Sequence, residues 1–228
     1  MKKLILTTLC AFIAGGVAFS QGYVNWSQAG GPPVLSWQTN TAISPFFGGS
    51  GTGGVSGYIG TAANSYYIEL LYAPWTGSAA TITSLSDLLS WKDTGLTGVN
   101  QTSTTAGPGG MTPQPASAAA QVQGVPGGSQ ANWVVVGWSA NLGTTWLAVS
   151  NVLANWNYSI PDAYFGRTPI GTVAAGTSQF FGATLFGTNP GQIYAPNTQM
   201  YLLPVPEPGT LALASLGGLS LLLFRRRK

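Results

Sequence analysis

Tyr66-Tyr67-Ile68-Glu69-Leu70-Leu71-Tyr72 alternates, with Tyr66, Ile68, Leu70 and Tyr72 on one side and Glu69 on the other. A repeat of two belongs to extended backbone, so the stretch predicts a half-buried strand with Glu69 turned to water. Further along, Trp133-Val134-Val135-Val136-Gly137-Trp138 contains no polar side chain, which predicts a central strand covered on both faces. Shorter strand signals surround these two: Tyr23 to Trp26, Val55 to Ile59, Thr81 to Thr83, Gln121 to Val125, Tyr164 to Arg167, Gln179 to Phe186 and Thr198 to Leu203. Strands of this length, punctuated by Gly, Pro, Asn and Ser, predict an all-β fold, a β-sandwich of jelly-roll-like form.

Two segments depart from that repeat and predict short helical insertions. Thr144 to Trp156 places Trp146, Val149, Val152, Leu153 and Trp156 on one helical stripe. Ser86 to Trp91 is a weaker case, with Ser84 or Ser86 as its N-cap. Ser44 to Gly57 and Thr104 to Gln130 are rich in Gly, Pro and Ala and read as long surface loops or weak hairpins. No fixed period recurs, which argues against a solenoid or propeller. The body, residues 21–203, therefore reads as one domain.

The charge distribution restricts function. Only 6% of the 228 residues are charged, against roughly 25% in an ordinary soluble domain. Inside the body Lys92 and Arg167 face Glu69, Asp87, Asp93 and Asp162, while the remaining cations sit at the two ends. No basic patch exists there to neutralise phosphates, so a nucleic-acid partner is disfavoured. The chain has no histidine, and its one cysteine, Cys10, lies in the N-terminal apolar run. A Ser-His-Asp triad, a Cys-His pair and a disulfide framework each need a residue type that the body lacks. The four acids are the remaining material for hydrolysis, since a glycosidase needs two carboxyl groups across a cleft. Glu69 reads more simply as an outward strand residue, and Asp87 and Asp93 as helix-flanking or turn residues. No D-x-D-x-D-G spacing marks a calcium loop. The expectation is a protein that is not an enzyme and carries no cofactor or metal.

All eight tryptophans lie in the body. Trp133, Trp138, Trp146 and Trp156 fall in patterns that predict burial, which leaves Trp26, Trp37, Trp75 and Trp91 as the freer rings for stacking on sugars.

The two ends describe how the chain is handled. Residues 1–20 carry Lys2 and Lys3, an apolar run from Leu4 to Ala14, and Ala18-Phe19-Ser20 ahead of Gln21, the pattern of a secretory signal cleaved between Ser20 and Gln21. Acylation on Cys10 is the competing reading, but Thr7-Thr8-Leu9 lacks the small residues that precede a lipidated cysteine. At the other end, Pro204, Pro206 and Pro208 stiffen an extended segment around Glu207. An apolar helix then spans 209–224, about 24 Å at 1.5 Å per residue. Arg225, Arg226, Arg227 and Lys228 follow and should stay cytoplasmic, which leaves the body outside. A permanent C-terminal anchor with incidental prolines is the alternative.

Pro206-Glu207-Pro208, the apolar segment and the terminal basic cluster together resemble the PEP-CTERM sorting signal of bacterial exported proteins. The resemblance covers residues 204–228 and implies that Pro206, Glu207 and Pro208 form the recognition motif, with 209–224 the transmembrane helix and 225–228 the retention cluster. It implies export through Sec-type machinery, removal of the leader by signal peptidase, and processing by a membrane-embedded exosortase. The precursor would be anchored in the inner membrane and the mature form placed at the cell surface or in an exopolysaccharide matrix, in a structural or adhesive role. An extracellular carbohydrate-binding module is the alternative, and a secreted carboxylate-dependent hydrolase stands third.

Overall fold

The computed structural model describes residues 21–26, 34–49, 53–60, 62–102, 109–117 and 119–205. The leader, the PEP residues, the apolar C-terminal segment and the basic cluster fall outside them. Among the described residues the strands are β1 Gln21–Val24, β2 Leu35–Ile43, β3 Val55–Tyr58, β4 Tyr66–Pro74, β5 Lys92–Asn100, β6 Met111–Gln114, β7 Ala120–Pro126, β8 Ala131–Ser139, β9 Tyr164–Arg167 and β10 Ala195–Leu202. The helices are α1 Leu85–Leu89 and α2 Trp146–Ala154.

Eight strands form one sheet in the order β3-β2-β10-β9-β8-β4-β5-β6, and β1 pairs with β7 as a separate ribbon. At the centre, β4 and β8 run antiparallel without a bulge from Tyr66↔Ser139 to Pro74↔Ala131. Every residue of β8 is buried, as its continuous apolar run requires. β2 and β10 pair in parallel, and every other strand pair is antiparallel. The protein is thus mostly β with two small helices.

The central sheet separates two apolar cores. On one face Ile68, Leu70, Tyr72, Trp133 and Val135 meet Val24 and Val122 of the ribbon and Leu185, Phe186 and Ile193 of the segment before β10. On the other face Leu71, Val134, Val136 and Trp138 meet Leu88 of α1 and Trp146, Val149 and Leu153 of α2. Each such side chain, fully buried, stabilises the fold by about 1.5–3 kcal/mol before the cost of ordering it.

This differs from a jelly roll of two comparable sheets. The layer over the first face is a two-stranded ribbon completed by isolated bridges such as Tyr23↔Gly176 and Gln130↔Ala174. Gln179 to Phe186 forms bridges and turns where a strand was expected. Glycine explains part of this, because a side chain at Gly176 would collide with the Phe181 carbonyl oxygen. Strand β4 is also buried on both faces, with α2 covering the side that the alternation assigned to water. Thr81 to Thr83 is not a strand but the approach to α1.

Both helices start on side-chain caps. Ser84 accepts from the Asp87 backbone N–H, and the Asp87 carboxylate accepts in return from Ser84 N–H at 2.9 Å and from Thr83 N–H and Oγ1–H. Those bonds, Thr83 first, draw the Asp87 pKa down to about 2. In α2 the Thr145 hydroxyl accepts from Ala148 N–H at 3.4 Å, and Trp146, Val149 and Leu153 form the buried stripe.

Candidate functional site

A cleft of about 510 Å³ opens over β9 and β10 on the helical side of the sheet. Its floor is set by the two-residue repeat, which puts Phe165 and Arg167 of β9 on one face, with Tyr201 of β10 paired to Phe165. The single-turn helix Pro45–Phe47, which follows β2, supplies a wall, with the Phe46 ring 6.1 Å from that of Phe165. Ile82 and Thr83, just before α1, supply the opposite wall.

Arg167 is held in this cleft by backbone. One guanidinium nitrogen donates to the Thr168 carbonyl at 3.0 Å and the other to the Ile82 carbonyl at 3.1 Å, and the Phe46 ring lies 5.9 Å from the guanidinium carbon. Among the described residues no carboxylate meets it. Half-burial without a counter-charge lowers its pKa from the ordinary arginine value. Ser44, 1% exposed, lines the same cleft, and its hydroxyl has no hydrogen-bond partner among the described residues. It sits at the cap position of the Pro45–Phe47 turn without capping it. Sequence reading passed over Arg167 because a lone cation on a short strand has no signature. The alternation Phe165–Arg167 was its one visible clue.

The carboxyl groups are arranged for structure. Glu69 was expected to face water, yet it is 2% exposed beneath the start of α2, where its Oε2 accepts from Trp146 N–H at 3.2 Å. Burial, then a hydrogen bond to Asp93 and the charge of that neighbour, raises its pKa to about 9, against the opposing pull of the Trp146 bond. Glu69 is therefore protonated at neutral pH. A glycosidase instead sets its two carboxyl groups about 5–9.5 Å apart across a cleft. Asp93 also accepts from Gly95 N–H at 2.6 Å, Asp87 is committed to the α1 cap, and Asp162 occupies a positive-φ turn (φ 51°) ahead of β9.

Of the four tryptophans singled out for stacking, three are in the core. Trp26 and Trp37 are fully buried, and Trp91 is 5% exposed. The Trp26 indole donates to the Thr97 carbonyl at 2.7 Å, and its ring tilts against Phe186. A ring with neither face open cannot stack on a ligand, so these three are corrected to packing residues. Trp75 stays half-buried, beside Lys92 and Gln130 in a shallower depression of about 260 Å³. Trp133, Trp138 and Trp146 are buried as expected, and Trp156 is half-buried.

The chain leaves the body in a defined way. Leu203 is buried and its N–H donates to the Ala163 carbonyl at 2.7 Å, then the Trp156 indole donates to the Pro204 carbonyl at 2.9 Å. Val205 is exposed. Gln21 opens β1, whereas Ala18 and Ser20 of the cleavage signal, Pro206, Glu207 and Pro208, and Arg225, Arg226, Arg227 and Lys228 lie outside the described residues. Among the described residues no helix is long and apolar enough to cross a membrane.

A folded body that hands over at Pro204 to a proline-framed acid, an apolar run and a basic cluster defines an exported protein with a C-terminal sorting signal. Residues 204–228 match the family model of the PEP-CTERM protein-sorting motif, and the chain carries that motif. No curated protein and no solved structure matches the chain.

Proposed function

We propose that this is an exported, exosortase-processed protein of the cell surface or exopolysaccharide matrix, whose body acts structurally or adhesively and catalyses no reaction. The observation that carries the reading is the sorting motif at 204–228 placed directly after a body that closes at Leu203 and Pro204. That junction places a proline-rich sequence, which favours extended backbone, next to a folded domain, as a processing enzyme requires. The leader at 1–20 supports export by the same route, with Sec-type machinery and signal peptidase as transient partners. The sandwich reading of the body is kept in reduced form, with the β1–β7 ribbon and its bridges as the partial second layer.

The non-enzymatic role draws support from the acids. Glu69 interacts with Asp93 and with the start of α2, and Asp87 is engaged in a helix cap, so each has a structural partner. The test is genetic and simple to read. Replacing Pro206, Glu207 and Pro208 by alanine should leave a full-length precursor in the inner-membrane fraction, while the unaltered chain reaches the surface or matrix in shortened form. Equal shortening of both chains would contradict the proposal.

A further inference from the structure

Among the described residues, the cleft over β9 and β10 contains a guanidinium that meets no carboxylate and a buried hydroxyl that has no hydrogen-bond partner. A guanidinium has five N–H donors, and Arg167 spends them in part on two backbone carbonyls that fix its plane. Withdrawing a cation from water without a counter-charge costs free energy, and a neutral side chain would line this cleft at lower cost. The Ser44 hydroxyl adds the same kind of unmet demand within the same cleft. Both groups suit a ligand that brings an anion together with further acceptors.

The remaining lining narrows the ligand. The half-buried Phe46 ring offers apolar surface backed by the buried Phe165 and Ile82, while Gln199 and Tyr201 add an amide and a phenol at the edge. The Gln199 carbonyl oxygen already accepts from Asn40 at 2.6 Å, which turns its amide N–H groups into the donors left for a ligand. At about 510 Å³ the space falls within the range of small-molecule sites, about 300–1,000 Å³. An acidic peptide would bring the same carboxylate but could not join the sheet as a strand here, since β9 and β10 are each paired on both sides.

We infer that this cleft binds a uronic-acid unit of an acidic polysaccharide, its carboxylate forked on Arg167 and its ring against Phe46. The choice of a polysaccharide as the carrier rests on the matrix reading above, whereas the demand for a carboxylate comes from the cleft alone. Arginine suits the task because its planar fork meets both carboxylate oxygens, which a lysine ammonium cannot do.

Titration calorimetry on the full chain in detergent tests this, with a glucuronate oligomer as probe and its carboxyl-reduced neutral counterpart and a glutamate-rich peptide as comparators. The glucuronate oligomer should bind about tenfold or more tightly than the neutral one, and Arg167→Gln should remove that difference. Arg167→Lys should restore only part of it. Ser44→Ala should weaken glucuronate binding without lowering the melting temperature, since it deletes a hydroxyl that has no hydrogen-bond partner among the described residues. That variant carries the test if Arg167→Gln fails to fold. Equal binding of the charged and neutral oligomers, unchanged binding by Ser44→Ala, or displacement of glucuronate by the peptide at equal concentration would overturn the inference. Glucuronate binding by a chain found uncut in every cell fraction would uphold the cleft and sink the sorting proposal, so the two failures are distinct.

Discussion

The two faces of the central sheet are built from the same strands and do different work. Facing the ribbon, β4 and β8 present Ile68, Leu70, Trp133 and Val135, and the Trp133 indole donates to the Val173 carbonyl at 2.7 Å. Facing the helices, β4 presents Glu69 beside Leu71, and two strands away β9 presents Arg167 in an open cleft. One face is apolar and aromatic packing with no charged side chain among its core residues. The other contains a buried acid and an unpaired cation, and the difference follows from what covers each. Ribbon and bridges can satisfy their own backbone, whereas the first N–H groups of α2 need an acceptor, which Glu69 provides at Trp146.

The largest expected effect falls on the ribbon side. Trp133→Ala should cost about 3–5 kcal/mol in urea unfolding, from the lost ring and the cavity left behind. That loss should be the same across roughly pH 5 to 8, since no carboxyl or amine group belongs to this core. A pH-dependent loss would break the contrast between the faces.

Glu69 makes the opposite prediction for the helical side. Its pKa is raised from 4.5 to about 9 on folding, so between those values the folded chain holds a proton that the unfolded chain has released. Stability contributed by the protonated form is complete below the lower value and is lost as pH rises through the upper one. The slope is about 1.4 kcal/mol per pH unit, on the order of 3 kcal/mol between pH 4.5 and 7. Glu69→Gln, neutral throughout, should flatten that slope and raise stability at pH 7. An unchanged slope would remove Glu69 as the distinguishing feature of this face.

Smaller effects sharpen the picture at the margins of the helical core. Ser84→Ala removes the α1 cap and should cost about 1 kcal/mol by thermal unfolding. Trp156→Phe keeps the ring but deletes the bond to the Pro204 carbonyl, and should cost about 0.5–1 kcal/mol. Its clearer sign is faster amide exchange at Leu203, with the ribbon-side amides unchanged.

The sequence exposes these regions unevenly, for physical reasons. The tail is legible because its parts are consecutive: a proline-framed glutamate, an apolar run and a basic cluster need no partner elsewhere in the chain. β8 and the α2 stripe are legible for the same reason, being dense local patterns. β5 escaped notice because Thr94, Gly98 and Asn100 are buried there among polar and small residues, with the Thr94 hydroxyl donating to the Leu70 carbonyl at 2.7 Å. Glu69 was misread because alternation marks which residues share a face, but not whether a distant helix covers that face. Trp26 and Trp37 were read as free because their immediate neighbours are polar, while the residues that bury them, such as Phe186, lie far away in sequence. The cleft could not be foreseen, since Ser44, Ile82, Arg167 and Tyr201 meet only through the order of the strands.

The central claim is that the chain is an exported precursor cut at its C-terminal motif, and terminal-peptide mass spectrometry of membrane, surface and medium fractions from the native host tests it most directly. The account predicts an N-terminus at Gln21 and, in the surface or medium fraction, a C-terminus between Pro206 and Pro208. A chain that still ends at Lys228 in every fraction would contradict it and make the C-terminal segment a permanent anchor.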